Sequence, residues 1–309
     1  VMRQGDSPVN GPHQGAWVDT VTGQDWFIHF QDVYAAGRIT HLQPMSWEND
    51  WPVIGVKKDG NDYGEPVLEY EKPDVGAVYE ICEPDTTDEF TEDTLGLQWQ
   101  WNANPDSDWA QFGTDESGNV SDDGSYIKLN AVGRASNRPI GDYRNLLLQK
   151  WPAPEFSCIT KMNISGMSDG DNAGFIHMGM DYVTVKGGKM EVYAVKGVQQ
   201  FDCDQAYTKE TKELLASYDN LKEIYFRYTV KKTGTKNYVE GGLPVKEAPV
   251  ETVTIEISTD GKEYTNPVSV IAKAGRWVGV KSGVYVSHDN SANSENKGFV
   301  TVDYVRYSR

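Results

Sequence analysis

The chain has 309 residues and a formal net charge of −17. That length suits two domains, or one large β domain with an appendage. So acidic a chain repels phosphate backbones and anionic lipid surfaces, which weighs against nucleic acid and membrane as partners but leaves neutral polysaccharides open. No run of about 18 apolar residues is present to span a bilayer as a helix. Nine Trp, 17 Tyr, nine Phe, 30 Gly and 14 Pro suit an all-β protein rich in turns. The three cysteines, Cys82, Cys158 and Cys203, form no C-x-x-C motif; one disulfide or free buried thiols are both compatible with their spacing. The first residues, Val1-Met2-Arg3-Gln4, lack the apolar stretch of a signal peptide, and a cleaved chain would look the same.

Alternation of apolar and polar residues dominates, and helical periodicity is scarce. Ala16–Thr20 reads as a strand, Val21–Gln24 as a turn, Trp26–Phe30 as a second strand and Ile39–Pro44 as a third, which together make a meander. From Val56 to Pro84 the pattern weakens. Polar turn residues and the extended bias before Pro66 and Pro73 predict a linker along a domain surface. A second unit starts near Asp85. Its predicted strands are Gly96–Trp101, Ser125–Leu129, Leu146–Gln149, Ser157–Asn163, Ala173–Met178, Tyr182–Val185, Met190–Val195, Ile224–Val230, Val253–Ser258, Trp277–Val286 and Phe299–Arg306. Their spacing predicts a two-sheet sandwich. Ser258-Thr259-Asp260-Gly261-Lys262 is a hairpin signal, and Lys209–Tyr218 is the one, short, helical candidate.

Several longer stretches carry a resemblance: GPHQGAWVDT (Gly11–Thr20), GRITHLQPMSWENDWPVIG (Gly37–Gly55), GEPVLEYEKPDVG (Gly64–Gly76), DEFTEDTLGLQWQWN (Asp88–Asn102), NLLLQKW (Asn145–Trp151) and GFVTVDYVRY (Gly298–Tyr307). In this order they resemble glycoside hydrolase family 43 of the β-xylosidase and α-L-arabinofuranosidase type. The resemblance implies an all-β chain: residues 1–55 as the last blade of a five-bladed catalytic β-propeller, 56–84 as a linker and 85–309 as a concanavalin A-like β-sandwich. It also implies an inverting glycosidase whose two carboxylates stand far enough apart to admit a water. In the family those carboxylates lie on earlier blades, upstream of the motif that contains His13. No catalytic residue is therefore nominated here, and an N-terminal propeller segment of the same protein is the expected partner.

Two positions carry over from the family. His13 matches a histidine near the propeller axis that helps hold a central metal, usually calcium, and a bridging water suits calcium's preference for oxygen. Arg38 matches an arginine that reaches into the substrate pocket, where a guanidinium can pair with vicinal sugar hydroxyls. Without the resemblance, His13 is a turn or core residue and Arg38 an ordinary surface arginine. His29 and His41 read as structural, and Trp17, Trp26, Trp47 and Trp51 as packing between blade and sandwich. Related sandwiches hold a structural calcium between first and last strands, which makes Asp88 and Asp303 candidate ligands; a pair of exposed acids is the plain alternative. The run Ser168–Asn172 lacks the closing glutamate of an EF-hand and reads as a solvated turn. Gly133–Asn145, with Arg134, Arg138 and Tyr143, is the candidate sandwich loop bordering the pocket, with Tyr143 as a substrate contact.

The leading expectation is the C-terminal part of an exo-acting glycosidase for xylosyl or arabinofuranosyl linkages, with xylo- or arabino-oligosaccharide as ligand. The alternatives are a carbohydrate-binding module and a sandwich that stabilises the propeller. Secreted or periplasmic location suits a polymer-degrading enzyme better than a cytoplasmic one.

Overall fold

The computed structural model describes every residue except 10–12, 123, 136–138, 179–180, 188–189, 200–206, 241–242, 274–277 and 293–294. Side chains are also left undescribed at 13, 181–182, 198–199, 207–209, 239–240 and 243–246. The chain forms two compact units. One comprises Val1–Glu83 with Lys236–Ala248; the other comprises Pro84–Thr235 with Pro249–Arg309.

The first unit is built on four antiparallel strands in sequential order: β1 (His13–Asp19), β2 (Asp25–Val33), β3 (Gly37–Glu48) and β4 (Trp51–Ile54). The three predicted strands are present and longer. The fourth was not anticipated because it contains Pro52, which removes a ladder donor and is tolerated at this sheet edge. A short pair, β5 (Val56–Lys57) and β6 (Gly64–Glu65), follows. The segment after it has no strand of its own as far as Glu83 and is held by side chains of the meander. Gln43, fully buried, donates its Nε2 to the Val67 carbonyl at 3.1 Å and accepts the Val67 N–H at 2.7 Å. Tyr70 packs edge-on against Trp26, and Asp74 donates its N–H to Gln24 at 2.9 Å.

The second unit is a sandwich. Its remaining strands are β7 (Gln100–Trp101), β8 (Ala110–Thr114), β9 (Tyr126–Asn130), β10 (Val132–Arg134), β11 (Leu147–Lys150), β12 (Phe156–Asn163), β13 (Asp171–His177), β14 (Asp181–Lys186), β15 (Glu191–Gln199), β16 (Tyr207–Ser217), β17 (Glu223–Glu240), β18 (Leu243–Ser258), β19 (Thr265–Ile271), β20 (Lys281–Asp289) and β21 (Phe299–Ser308). One sheet has the order β16-β15-β14-β13-β20-β11-β7, with β10 parallel to β20; the other runs β19-β18-β17-β12-β21-β9-β8. Period-two burial turns Phe175, Val183, Val284 and Val286 of the first sheet and Phe226, Tyr228, Val302 and Val305 of the second inward.

Four differences from the sequence reading have local causes. Lys209–Tyr218 is not a helix: it lies almost wholly in β16, paired along β15. Ten residues without an apolar stripe cannot sustain a helix against an open strand edge. Of Gly96–Trp101 only Gln100–Trp101 pairs; a turn in which Trp99 donates to the Gly96 carbonyl takes up the rest. β17 and β18 run well beyond the apolar stretches that marked them, as a largely polar hairpin whose far end, Lys236–Ala248, belongs to the first unit. Trp277, the predicted start of β20, lies outside the described residues.

The acidic run Ser168–Asn172 is not solvated. Asp171 is fully buried: Oδ1 faces His288 Nδ1 at 2.7 Å, and Oδ2 accepts the N–H groups of Ser168 (2.7 Å) and Gly298 (2.9 Å). It thus ties the β12–β13 connection to β20 and to the entry of β21. Gly170 makes the approach possible, with φ +92°, and a Cβ there would stand 2.4 Å from the Ala292 Cβ. Removing one partner of such a buried pair costs about 3–5 kcal/mol. Asp171→Ala is expected to lose about that much stability in denaturant unfolding; a loss under about 1 kcal/mol would show that the carboxylate organises nothing.

Candidate functional site

The candidate residues of the first unit gather at one end of the meander. Register places His13 opposite Phe30, and Arg38 opposite Asp32, so both predicted positions flank the same stretch of β2. The side chain of His13 lies outside the described residues. Arg38 follows a tight turn, Tyr34–Ala36, which Gly37 closes at φ 74°. Its guanidinium carbon sits 4.2 Å from the Phe30 ring centroid, and its Nε lies 3.7 Å from Asp32 Oδ1. Stacking and charge thus hold Arg38 on the sheet with about a third of its side chain open to solvent.

The same turn carries a feature that the sequence reading missed. Lys236, on the far end of β17, places Nζ 3.3 Å from the centroid of Tyr34, and Tyr238 packs on Tyr34 at 5.5 Å. No motif marks these residues; only the length of the hairpin brings them here.

Behind Arg38, His29 and His41 stand opposite each other on β2 and β3, stacked at 5.4 Å and 17°. His29 is 2 % exposed and His41 Nε2 meets Gln31 Oε1 at 3.1 Å, in line with a structural role. Burial holds both imidazoles below the ordinary histidine value; the Phe30 carbonyl partly opposes this at His29, and the neighbouring His29 adds to it at His41. Among the tryptophans, Trp26 is buried, whereas Trp17 (56 % exposed) and Trp47 (45 %) meet edge to face at 5.3 Å. Trp17 donates Nε1 to Asp25 at 2.7 Å, and Trp51 is exposed. Val18, Ile28 and Leu42 are also exposed, so apolar side chains reach solvent on both faces of the meander.

The sandwich does not bring its predicted site residues together. Asp88 bridges to Val305 through paired backbone hydrogen bonds, and its carboxylate accepts the Phe90 N–H (2.8 Å) and Trp99 Nε1 (2.7 Å). Asp303 instead faces Lys161 Nζ and the Tyr126 hydroxyl, each at 3.3 Å. One acid is capped by N–H donors and the other by an ammonium, so the pair does not fit a shared calcium. Among the described residues no three His, Cys, Asp or Glu side chains group as a metal site. Tyr143 is a core residue rather than an open contact. It is 6 % exposed, covered by Arg134 at 4.8 Å from its ring, and packed with Ile140, Leu146, Leu148, Ile176 and Tyr285. Burial pushes its phenol above the ordinary value. The loop Gly133–Asn145 therefore folds down on its own sheet, because Ile140 and Tyr143 are apolar enough to be buried there. Arg138 lies outside the described residues. Of the cysteines, Cys158 is a buried free thiol and Cys82 an exposed one, while Cys203 lies outside the described residues.

Comparison with known proteins places the sandwich. Residues 87–308 match the family model described as the β-xylosidase C-terminal concanavalin A-like domain. The chain belongs to this family, a C-terminal region of glycoside hydrolase family 43. A protein of Xylanibacter ruminicola that bears the provisional name β-xylosidase is 42 % identical over 172 residues, which cover 54 % of this chain and 30 % of that protein. A β-xylosidase of Formosa agariphila is 27 % identical over 95 % of this chain and 47 % of its own length. The family 43 chain thus spans less than half the length of these relatives. Among solved structures, a xylan β-1,4-xylosidase of Bacillus halodurans superposes with a TM-score of 0.69 at 16 % identity, covering 99 % of this chain and 56 % of that one. A bifunctional family 43 protein of Bacteroides eggerthii gives 0.67 at 23 % identity, covering 96 % and 34 %.

Two outcomes are expected for the family 43 chain. As pH falls through about 6.5 the unfolded chain takes up protons that His29 and His41 resist, so stability present at neutral pH is lost toward acid. Tm should fall between about pH 7 and about pH 5, and His29→Phe should flatten the slope; an unchanged slope would contradict the burial of this pair. A chelator should leave the Tm of the 309-residue chain unchanged, and a chelator-induced drop reversed by calcium would reinstate an ion at Asp88 and Asp303.

Proposed function

We propose that this chain is the C-terminal part of an inverting, exo-acting glycosidase that releases xylosyl or arabinofuranosyl units from hemicellulose-type glycans. In this reading the meander is the closing blade of the catalytic propeller, and the acid and base carboxylates are encoded upstream. The observation that carries it is the four-stranded antiparallel meander His13–Ile54, with apolar side chains open on both faces, joined to a family 43 sandwich. A sheet exposed in this way calls for neighbours on either side, as the wedges of a propeller provide. Relatives about twice as long are consistent with such a segment.

Arg38 is then the chain's contribution to the pocket. Pinned over Phe30 with Asp32 alongside, it presents N–H donors at the end of the sheet where His13 enters β1. A fixed guanidinium fork suits paired hydroxyls of a terminal pentose. His13 is the expected contributor to a central ion in the intact protein. The names of the relatives, β-xylosidase and, for a Bacteroides ovatus protein 26 % identical, non-reducing end α-L-arabinofuranosidase, support a glycan substrate without separating the two sugars.

A carbohydrate-binding module is the weaker reading, since Tyr143 and Ile140 fill one outer face of the sandwich from its own loop. A bracing role is compatible with the proposal: the far end of the β17–β18 hairpin is part of the first unit.

The 309-residue chain alone is expected to show no turnover of aryl xylosides or aryl arabinofuranosides, whereas the same chain extended by its upstream sequence is expected to be active and to lose activity on Arg38→Ala. Turnover by a homogeneous preparation of the 309 residues, or full activity of the Arg38 variant, would overturn it.

A further inference from the structure

Sandwich interiors are apolar by default, yet one layer of this one is polar from sheet to sheet. In the first sheet a single cross-strand row holds His177, Ser282 and Gln149, on β13, β20 and β11. In the facing sheet a single row holds Tyr228, Cys158 and Tyr307, on β17, β12 and β21. His177 is 1 % exposed and the others are likewise shut off from solvent.

Half of this layer is paired. Trp151 donates Nε1 to the Tyr228 oxygen at 2.9 Å, and the Tyr228 hydroxyl meets His177 Nδ1 at 2.8 Å. Gln149 donates Nε2 to the Thr86 carbonyl at 3.0 Å. The other half is not: His177 Nε2, Ser282 Oγ and the Tyr307 hydroxyl oxygen are buried with no hydrogen-bond partner. Ser282 stands between the rows, beside both phenols but short of hydrogen-bond geometry with either. A buried polar atom left unpaired costs about 1–3 kcal/mol, so three converging in one layer form a place for a shared partner.

We infer that the sandwich interior holds a built site for one ordered water, bound by His177 Nε2, Ser282 Oγ and the Tyr307 hydroxyl. Water fits the chemistry of the three groups. It has two donors and two acceptor sites, and buried waters make about three hydrogen bonds. An imidazole is needed in its neutral form, and burial pushes His177 down to about 3, so it stays neutral over the working range. In either neutral tautomer Nε2 then asks for one partner, as donor or as acceptor, and water supplies both. An apolar occupant would satisfy none of the three atoms, and a cation is disfavoured because the layer carries no ionised group: burial also holds Cys158 and both phenols in their protonated forms. The water would link β13 and β20 of one sheet to β21 of the other, fixing the two sheets in register where apolar packing alone would let them slide.

The test uses the full 309-residue chain. A high-resolution crystal structure should show one spherical density peak within about 2.7–3.2 Å of His177 Nε2 and of at least one of the two hydroxyls. In thermal unfolding, Ser282→Ala and Tyr307→Phe should each lower Tm, and the double variant should lose less than the sum, because the first substitution already releases the water. Ser282→Ala removes a single oxygen, so the variant folds. A dry layer, with Ser282 Oγ bonded directly to His177 Nε2, would overturn the inference; so would Tm losses that simply add.

Discussion

The constraint on which the sandwich depends is the position of its last strand. β21, the final ten residues but one, does not sit on an edge: it lies between β12 and β9, deep in its sheet. Everything that fixes it comes from far away in sequence. Asp88 pairs with Val305 by two backbone hydrogen bonds, Lys161 meets Asp303, Thr160 donates to the Tyr304 carbonyl, and Glu89 takes both guanidinium arms of Arg306 at 2.7 Å. The central strand is thus the last to be made, and both of its neighbours must wait for it. A fold of such non-local pairings gains its contacts only after a large loop-closure cost, which marks it as slow to form.

Charge follows from the same layout. The chain carries many more acids than bases, and its cations are placed as connectors. Lys161 lies between Glu223 and Asp303, and those two carboxylates, with Tyr126, raise its pKa despite partial burial. Arg227 pairs with Glu256, and Arg134 covers Tyr143. Each basic residue spans two strands or a strand and a loop. The repulsion expected of −17 charges is therefore spent at the surface, where solvent screens it, rather than across the sheets.

Much of the architecture was legible because strand pattern and turn chemistry agree. Ala173–Met178 and Ser157–Asn163 announce themselves by continuous or alternating apolar residues, and Ser258–Lys262 by Asp-Gly, whose Asp260 carboxylate accepts from Lys262 and Glu263 as a hairpin turn requires. What stayed hidden is what pairing alone decides. β16 has charges where a periodic signal should be, and becomes a strand only because β15 offers an edge. The outer half of the β17–β18 hairpin is polar, and no local signal says that Lys236 will stand on Tyr34. The site residues divided in the same way. Arg38 could be placed from a motif that is continuous in sequence. Asp88 and Asp303 share the two ends of the chain, but their bonding depends on Trp99, Phe90 and Lys161, which no spacing rule links to them. Tyr143 looked like a contact because it is a polar-tipped aromatic in a loop; the apolar cluster beneath that loop decided otherwise.

The amide of Gln43 gives a side chain the bonding capacity of a peptide group. With one acceptor and one donor aimed at Val67, it does for that residue what a neighbouring strand would do, and the segment beyond needs no sheet to stay in place. Sequence in that segment is accordingly free to drift so long as its main chain can reach this handle. A glutamate in its stead keeps the acceptor and loses the donor, so the anchorage would be halved by the change of a single atom.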